Sequence, residues 1–108
     1  MNYQLHITKT AERDLNDAAD YIEFTLRNPT AADHLLELAE RTISQLILFP
    51  EAHPIVNDPI LSAWGIRFVV IQKYIAFYTI EDHTIFILRF LYGKRDWMPV
   101  LKQGFSFE

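Results

Sequence analysis

A chain of 108 residues, half of them apolar and none of them cysteine, fits one domain (1–108) whose core needs no disulfide, and it has neither a thiolate nucleophile nor a cysteine-bound metal. The net charge of −4 arises wholly in residues 1–50, with 8 acids against 4 bases, whereas residues 51–108 carry 6 of each; this excludes the basic field of a generic nucleic-acid binder and confines any RNA or DNA contact to the C-terminal half. No basic-then-apolar leader opens the sequence and no run reaches the roughly 18 apolar residues of a membrane span, so the expectation is a soluble, cytoplasmic protein without membrane contact.

Tyr3 to Ile7 alternates apolar and polar residues and predicts a short half-buried strand. Thr10 then reads as a helix N-cap, with Glu12 and Asp14 near the positive end of the helix dipole. Ala11, Leu15, Ala18, Ala19, Ile22 and Leu26 form an apolar stripe that stops at Asn28-Pro29. Thr30 reads as the cap of a second helix, whose stripe is Leu35, Leu36, Ala39, Ile43, Leu46 and Ile47 and which Pro50 closes. Together they predict an antiparallel helical hairpin over about 10–49. Residues 51–64 have no period and read as a loop. From Gly65 the composition turns to β-branched and aromatic residues, and strands are predicted at Ile66–Ile71, Tyr74–Ile80 and Thr84–Tyr92, joined by turns at Gln72-Lys73 and Glu81-Asp82-His83. The fold class is therefore α+β, in the order β-α-α-β-β-β: a helical hairpin on one antiparallel sheet (about 65–92), followed by a tail (93–108).

An arginine inside an apolar strand needs a partner or water. Arg67 and Arg89 are two such residues. A two-residue turn at Gln72-Lys73 sets Arg67 opposite Tyr78 and puts Arg67, Tyr74 and Tyr78 on one sheet face. The face of Arg89 depends on the register at residues 81–83. Arg67 and Tyr78 also suit a cation–π pair on a solvated face, and Arg89 with Asp96 suits an ion pair holding the tail. Lys94-Arg95 beside Tyr92 has the makings of a phosphate contact next to a stacking aromatic. His6, His34, His53 and His83 show no ligand spacing; His53 is a candidate acid or base without a sequence partner. Trp64 and Trp97 suit core or lid positions, and Phe90 and Trp97 are candidates for an exposed apolar contact. The acids Glu12, Asp14, Asp17, Asp20 and Glu23 read as a solvated helix face. No metal or cofactor motif is present.

In order and spacing, these segments resemble the RelE/ParE superfamily of toxins from type II toxin–antitoxin systems. The resemblance runs through the opening strand, the hairpin closed by Phe49-Pro50, Gly65-Ile66-Arg67, Lys73-Tyr74-Ile75-Ala76-Phe77-Tyr78, and most specifically Ile87 to Trp97. It implies a growth inhibitor of the plasmid-stabilisation (addiction) kind, without cofactor, bound by a cognate antitoxin; a homodimer stays open. Two activities occur in the superfamily: metal-independent cleavage of mRNA on the ribosome, and non-enzymatic binding of DNA gyrase. Where RelE-type enzymes carry lysines this chain has Ile66 and Phe68, Tyr74 is followed by Ile75 and not by arginine, and Met98-Pro99-Val100-Leu101 holds no tail tyrosine. Only Arg95 matches a catalytic arginine. The resemblance therefore leans to the gyrase-binding ParE type, with Arg89, Tyr92, Lys94 and Arg95 as target- or RNA-binding candidates and Tyr74, Asp96 and Trp97 supporting them. The alternatives are an mRNA endonuclease, with Arg67, Tyr78 and Arg95 as catalytic candidates, and an inactive relative kept as a binding module.

Overall fold

The computed structural model describes residues 2–108. Strand β1 (Gln4–Ile7) ends at Thr8, which launches helix α1 (Lys9–Asp20). The Thr8 hydroxyl oxygen accepts from the Ala11 N–H at 3.2 Å and the hydroxyl donates to the Ile87 carbonyl at 2.8 Å, so one buried side chain both caps the helix and ties it to the sheet. Thr10, expected as the cap, lies inside the first turn; the residue two places earlier wins because it alone reaches the sheet. After Asp20 the helix widens into a π-helical turn, Tyr21–Thr25. The chain then reverses through Arg27, at φ 54°, into helix α2 (Pro29–Gln45). Asn28, not Thr30, caps α2: its side-chain oxygen accepts from the Ala31 N–H at 3.1 Å. Pro29 has no N–H to leave unpaired at the first helical position, so Asn28-Pro29 opens the second helix rather than merely closing the first.

Residues expected as plain loop contain a short helix, α3 (Pro59–Ala63), capped by Asp58, whose Oδ2 accepts from Ile60 and Leu61 at 3.0 and 3.1 Å. Gly65, at φ 71°, then turns the chain into β2 (Arg67–Ile71). Strands β3 (Tyr74–Glu81) and β4 (Thr84–Tyr92) follow. The turn between β3 and β4 has only two residues, Asp82 and His83, both at positive φ (47° and 66°), the twist that suits tight hairpins. A last short helix, α4 (Met98–Lys102), lies in the tail.

The sheet order is β1-β4-β3-β2. The register between β2 and β3 is the one the Gln72-Lys73 turn predicts, with Ile71 opposite Tyr74, Val69 opposite Ala76 and Arg67 opposite Tyr78. The sheet is not wholly antiparallel, however, because β1 pairs parallel with β4 over Gln4–Ile7 and Thr84–Ile87. Two tight hairpins fix β2, β3 and β4 as alternating neighbours, which leaves the outer edge of β4 as the one place where Thr8 can meet Ile87 and send α1 back across β4.

Both sheet faces are covered. The helical hairpin packs on one through Ala18, Leu35, Ala39 and Ile43 against Val69, Ile71, Ala76, Tyr78, Ile85 and Ile87. Val56, Leu61 of α3 and Leu101 of α4 pack on the other against Ile66, Phe77, Leu88 and Leu91. This double burial is why β3 and β4 read as nearly continuous apolar runs.

Candidate functional site: a groove at the tip of the hairpin

Where β3 and β4 meet the 72–73 turn, the helical hairpin stands off from the sheet and leaves a groove of about 1040 Å³. The wall formed by α1 and the π-helical turn that continues it carries Asp14, Asp17 and Tyr21, spaced so that they share one helix face. The hairpin tip adds Ile22 and Leu26, and the sheet side adds Tyr74, Phe90 and Tyr92, with Lys73 and Arg95 among its lining. Gly93 holds the sheet end shut: its N–H donates to the Lys73 carbonyl at 2.7 Å, and a Cβ there would sit 3.1 Å from that oxygen.

Tyr74 is the floor. Its ring stacks on Phe90 with centroids 5.1 Å apart and planes 11° apart, and meets the edge of Tyr92 at 5.6 Å. Burial, with the Tyr92 and Tyr21 phenols nearby, pushes its pKa above the ordinary value of 10.0. Tyr21, Leu26 and Tyr92 remain exposed around the opening.

Arg89 sits where the ladder slips. Phe77 pairs with Arg89 but Tyr78 pairs with Ile87, so Leu88 is an extra residue in β4. The bulge turns Arg89 toward α1, where Nε and Nη2 donate to the two Asp14 carboxylate oxygens at 2.7 and 3.0 Å. The Phe90 N–H, left without a strand partner at this edge, donates to the same Asp14 Oδ2 at 3.0 Å. The expected partner Asp96 is not involved; α1 lies closer to the bulge than the tail does. Asp14 is thus no part of a solvated face, its side chain being only 13 % exposed and that of Arg89 20 %.

Arg67 and Tyr78 occupy a different place. Tyr78 is fully buried and its hydroxyl donates to the Pro50 carbonyl at 2.7 Å. Burial pushes its pKa up to about 12, against the opposing pull of Arg67. Arg67 donates to the carbonyls of Glu51 and His53 at 3.1 and 2.6 Å. The His53 ring lies edge-on to Tyr78 at 6.4 Å. These groups clasp residues 50–53 onto the sheet; Tyr78 is buried beneath that clasp, while Arg67 stays partly exposed at its rim. Tyr78 lies four residues along β3 from Tyr74, about 13 Å at strand rise, so Arg67 and Tyr78 are not gathered with Arg95.

Tyr92, Lys94, Arg95 and Asp96 are exposed at the end of β4, and neither Lys94 nor Arg95 has an ion-pair partner among the described residues. Trp97 packs on Phe77 at 5.0 Å and supports the outer layer. Phe90, expected to be exposed, is 3 % exposed under Tyr74. Asp17 and Leu26, read in the sequence as part of a solvated face and of an apolar stripe, line the groove together with Tyr21, which the sequence reading did not single out; the spacing of Asp14, Asp17 and Tyr21 was the available signal.

A family model described as the ParE toxin of the type II toxin–antitoxin system parDE matches residues 5–97. The fold is similar to that of a chain in the chromosomal ParDE toxin–antitoxin system of P. aeruginosa, at 19% identity and TM-score 0.69, covering 83% of this chain and 95% of that one. It is also similar to a chain of the RelBE2 toxin–antitoxin complex of Mycobacterium tuberculosis, at 22% identity and TM-score 0.56, covering 85% and 99%. None of the curated proteins matches the chain. With most of its length matched by the family model and its helical hairpin and mixed sheet shared with these structures, the chain belongs to the ParE toxin family of type II toxin–antitoxin systems.

Proposed function

We propose that this ParE-family chain arrests growth from the cytoplasm by binding its target rather than cutting RNA, that the target is DNA gyrase, and that a cognate antitoxin silences it by occupying the hairpin-tip groove. The observation that carries the first part is the separation of the candidate catalytic groups. Metal-independent RNA cleavage needs a base, an acid and a cation converging on one phosphate. Here Tyr78 is buried on Pro50 and Arg67 is committed to two loop carbonyls, away from the exposed Arg95. What the end of β4 offers is a contact surface: Tyr92, Lys94 and Arg95, exposed and next to an apolar groove. Antitoxin docking is supported by the groove itself, which holds about 1040 Å³ and leaves Tyr21, Leu26 and Tyr92 exposed around its opening.

The test is induced expression of wild type and of a Tyr92→Ala, Lys94→Ala, Arg95→Ala variant, with primer extension on translated messages from the same cultures. The wild type is expected to stop growth without new message ends, and the variant to grow. New ends that depend on Arg95 would replace this reading with ribosome-dependent mRNA cleavage.

A further inference from the structure

The charges around the groove do not balance. Lys73 ends the β2–β3 turn and Arg95 follows β4; both line the groove, are exposed and have no ion-pair partner among the described residues. The backbone gathers their two segments at the sheet end. Tyr74 pairs with Tyr92, the Gly93 N–H donates to the Lys73 carbonyl at 2.7 Å, and the Arg95 N–H donates to the Tyr92 carbonyl at 3.0 Å in a tight turn. Two acids line the same groove from α1. Asp14 is matched by Arg89, which leaves Asp17 as the one carboxylate of the lining without an ion-pair partner among the described residues. Two unmatched cations therefore stand against one unmatched carboxylate, and the groove is net positive although the whole chain carries −4. The floor is apolar, with Tyr74 stacked on Phe90, and the Tyr74 phenol stays protonated and adds no anion.

An apolar segment filling this groove would take Lys73 and Arg95 out of water and leave them unmatched, and a basic one would add a third positive charge. A carboxylate removes both penalties. From this imbalance we propose that the antitoxin segment received by the groove carries one aspartate or glutamate, seated at the sheet end against Lys73 and Arg95, with apolar side chains lying on Tyr74, Ile22 and Leu26. The inference rests on the reading that the groove is the antitoxin's site. Asp17 gives the segment a direction, because it repels a carboxylate from the α1 wall and confines the acidic residue to the sheet end. The bulge at Leu88 sets the sign of the groove: with Arg89 turned away, Asp14 would be a second unmatched carboxylate and the lining would be neutral.

The test uses the full chain and, as probe, a displayed library of random peptides of about 18 residues, roughly five helical turns. Peptides are selected on wild type and counter-selected on the groove-filling Ala31→Trp, so that only groove-dependent binders remain. Their affinities are then measured by calorimetry for wild type, Asp17→Asn and a Lys73→Glu, Arg95→Glu variant, each checked for an unchanged unfolding midpoint. The groove-dependent peptides are expected to share one acidic residue among apolar ones. Replacing that acid by lysine should weaken binding to wild type at least about tenfold, and so should Lys73→Glu, Arg95→Glu against the acidic peptide. The lysine peptide should bind the charge-reversed variant better than it binds wild type, and Asp17→Asn should tighten the acidic peptide. If the groove-dependent peptides carry no such acid, or bind the charge-reversed variant as they bind wild type, the anionic anchor is wrong and the groove reading stands. If every selected peptide binds Ala31→Trp as it binds wild type, the groove receives no segment and both fall.

Discussion

Arg89 shows how far a single residue's role depends on one backbone irregularity. Read along the strand, an arginine between Leu88 and Phe90 could face either way, and only the extra residue at the bulge directs it to Asp14. Asp14 then satisfies a guanidinium and a backbone N–H together, so loss of Arg89 leaves a half-buried carboxylate short of its main partner. Arg89→Ala is expected to cost about 2 kcal/mol of stability. A double-mutant cycle with Asp14→Ala in denaturant unfolding should return a coupling of the same order, and additive losses would show the pair to be weak. Tyr78 gives a second prediction. Its folded pKa, pushed up to about 12 from 10.0, favours the protonated phenol in the native state. The unfolded chain therefore loses that proton first, and stability present below pH 10 declines as pH rises from 10 toward 12. Tyr78→Phe should flatten this decline in pH-dependent melts. It should also cost about 1 to 3 kcal/mol near neutrality, because the Pro50 carbonyl loses its donor. Neither role was legible in the sequence, where Arg67, Tyr78 and Arg95 offered an RNA-cleaving set; burial and hydrogen-bond partners, not residue type, separate them.

At the scale of elements, much more was legible. The strand runs of β2, β3 and β4 stand out because burial on both faces makes them apolar and β-branched, and the two-residue turn at 72–73 sets the β2–β3 register without outside help. Helix starts were displaced by two residues because Thr8 and Thr10, like Asn28 and Thr30, are both competent caps, and tertiary bonds choose between them. The parallel pairing of β1 had no local signal, since it is decided by Thr8 meeting Ile87 across the fold. The short α3 and α4 were hidden in stretches too brief to show a period. They are joined by the Lys102–Asp58 ion pair at 3.0 Å. The Leu61 N–H and then Lys102 hold the Asp58 carboxyl below its ordinary 3.8, so its contribution is complete above that value and is lost as pH falls through the folded pKa. Asp58→Asn should remove that acid-side slope and loosen the outer layer, seen as faster amide exchange in residues 59–63 and 98–102; unchanged exchange in both segments would show that α3 and α4 are held by Leu61 and Leu101 alone.

For the whole molecule, the division of labour follows from what each face already does. One sheet face is spent on the helical hairpin and the other on α3, α4 and the tail, so neither sheet face is open to a partner. The tip groove and the Tyr92–Lys94–Arg95 surface are adjacent, since Tyr92 and Arg95 line both. An antitoxin in the groove would therefore cover the proposed target-binding residues directly, and silencing would need no change in the toxin's shape. This predicts that antitoxin and gyrase compete for the chain. The most direct measurement is supercoiling by purified gyrase with added toxin, wild type against a Tyr92→Ala, Lys94→Ala, Arg95→Ala variant of equal thermal midpoint. The account predicts that the wild type inhibits, that the variant needs at least ten times the concentration, and that antitoxin restores supercoiling. Gyrase that runs unimpeded at excess wild-type toxin would contradict it.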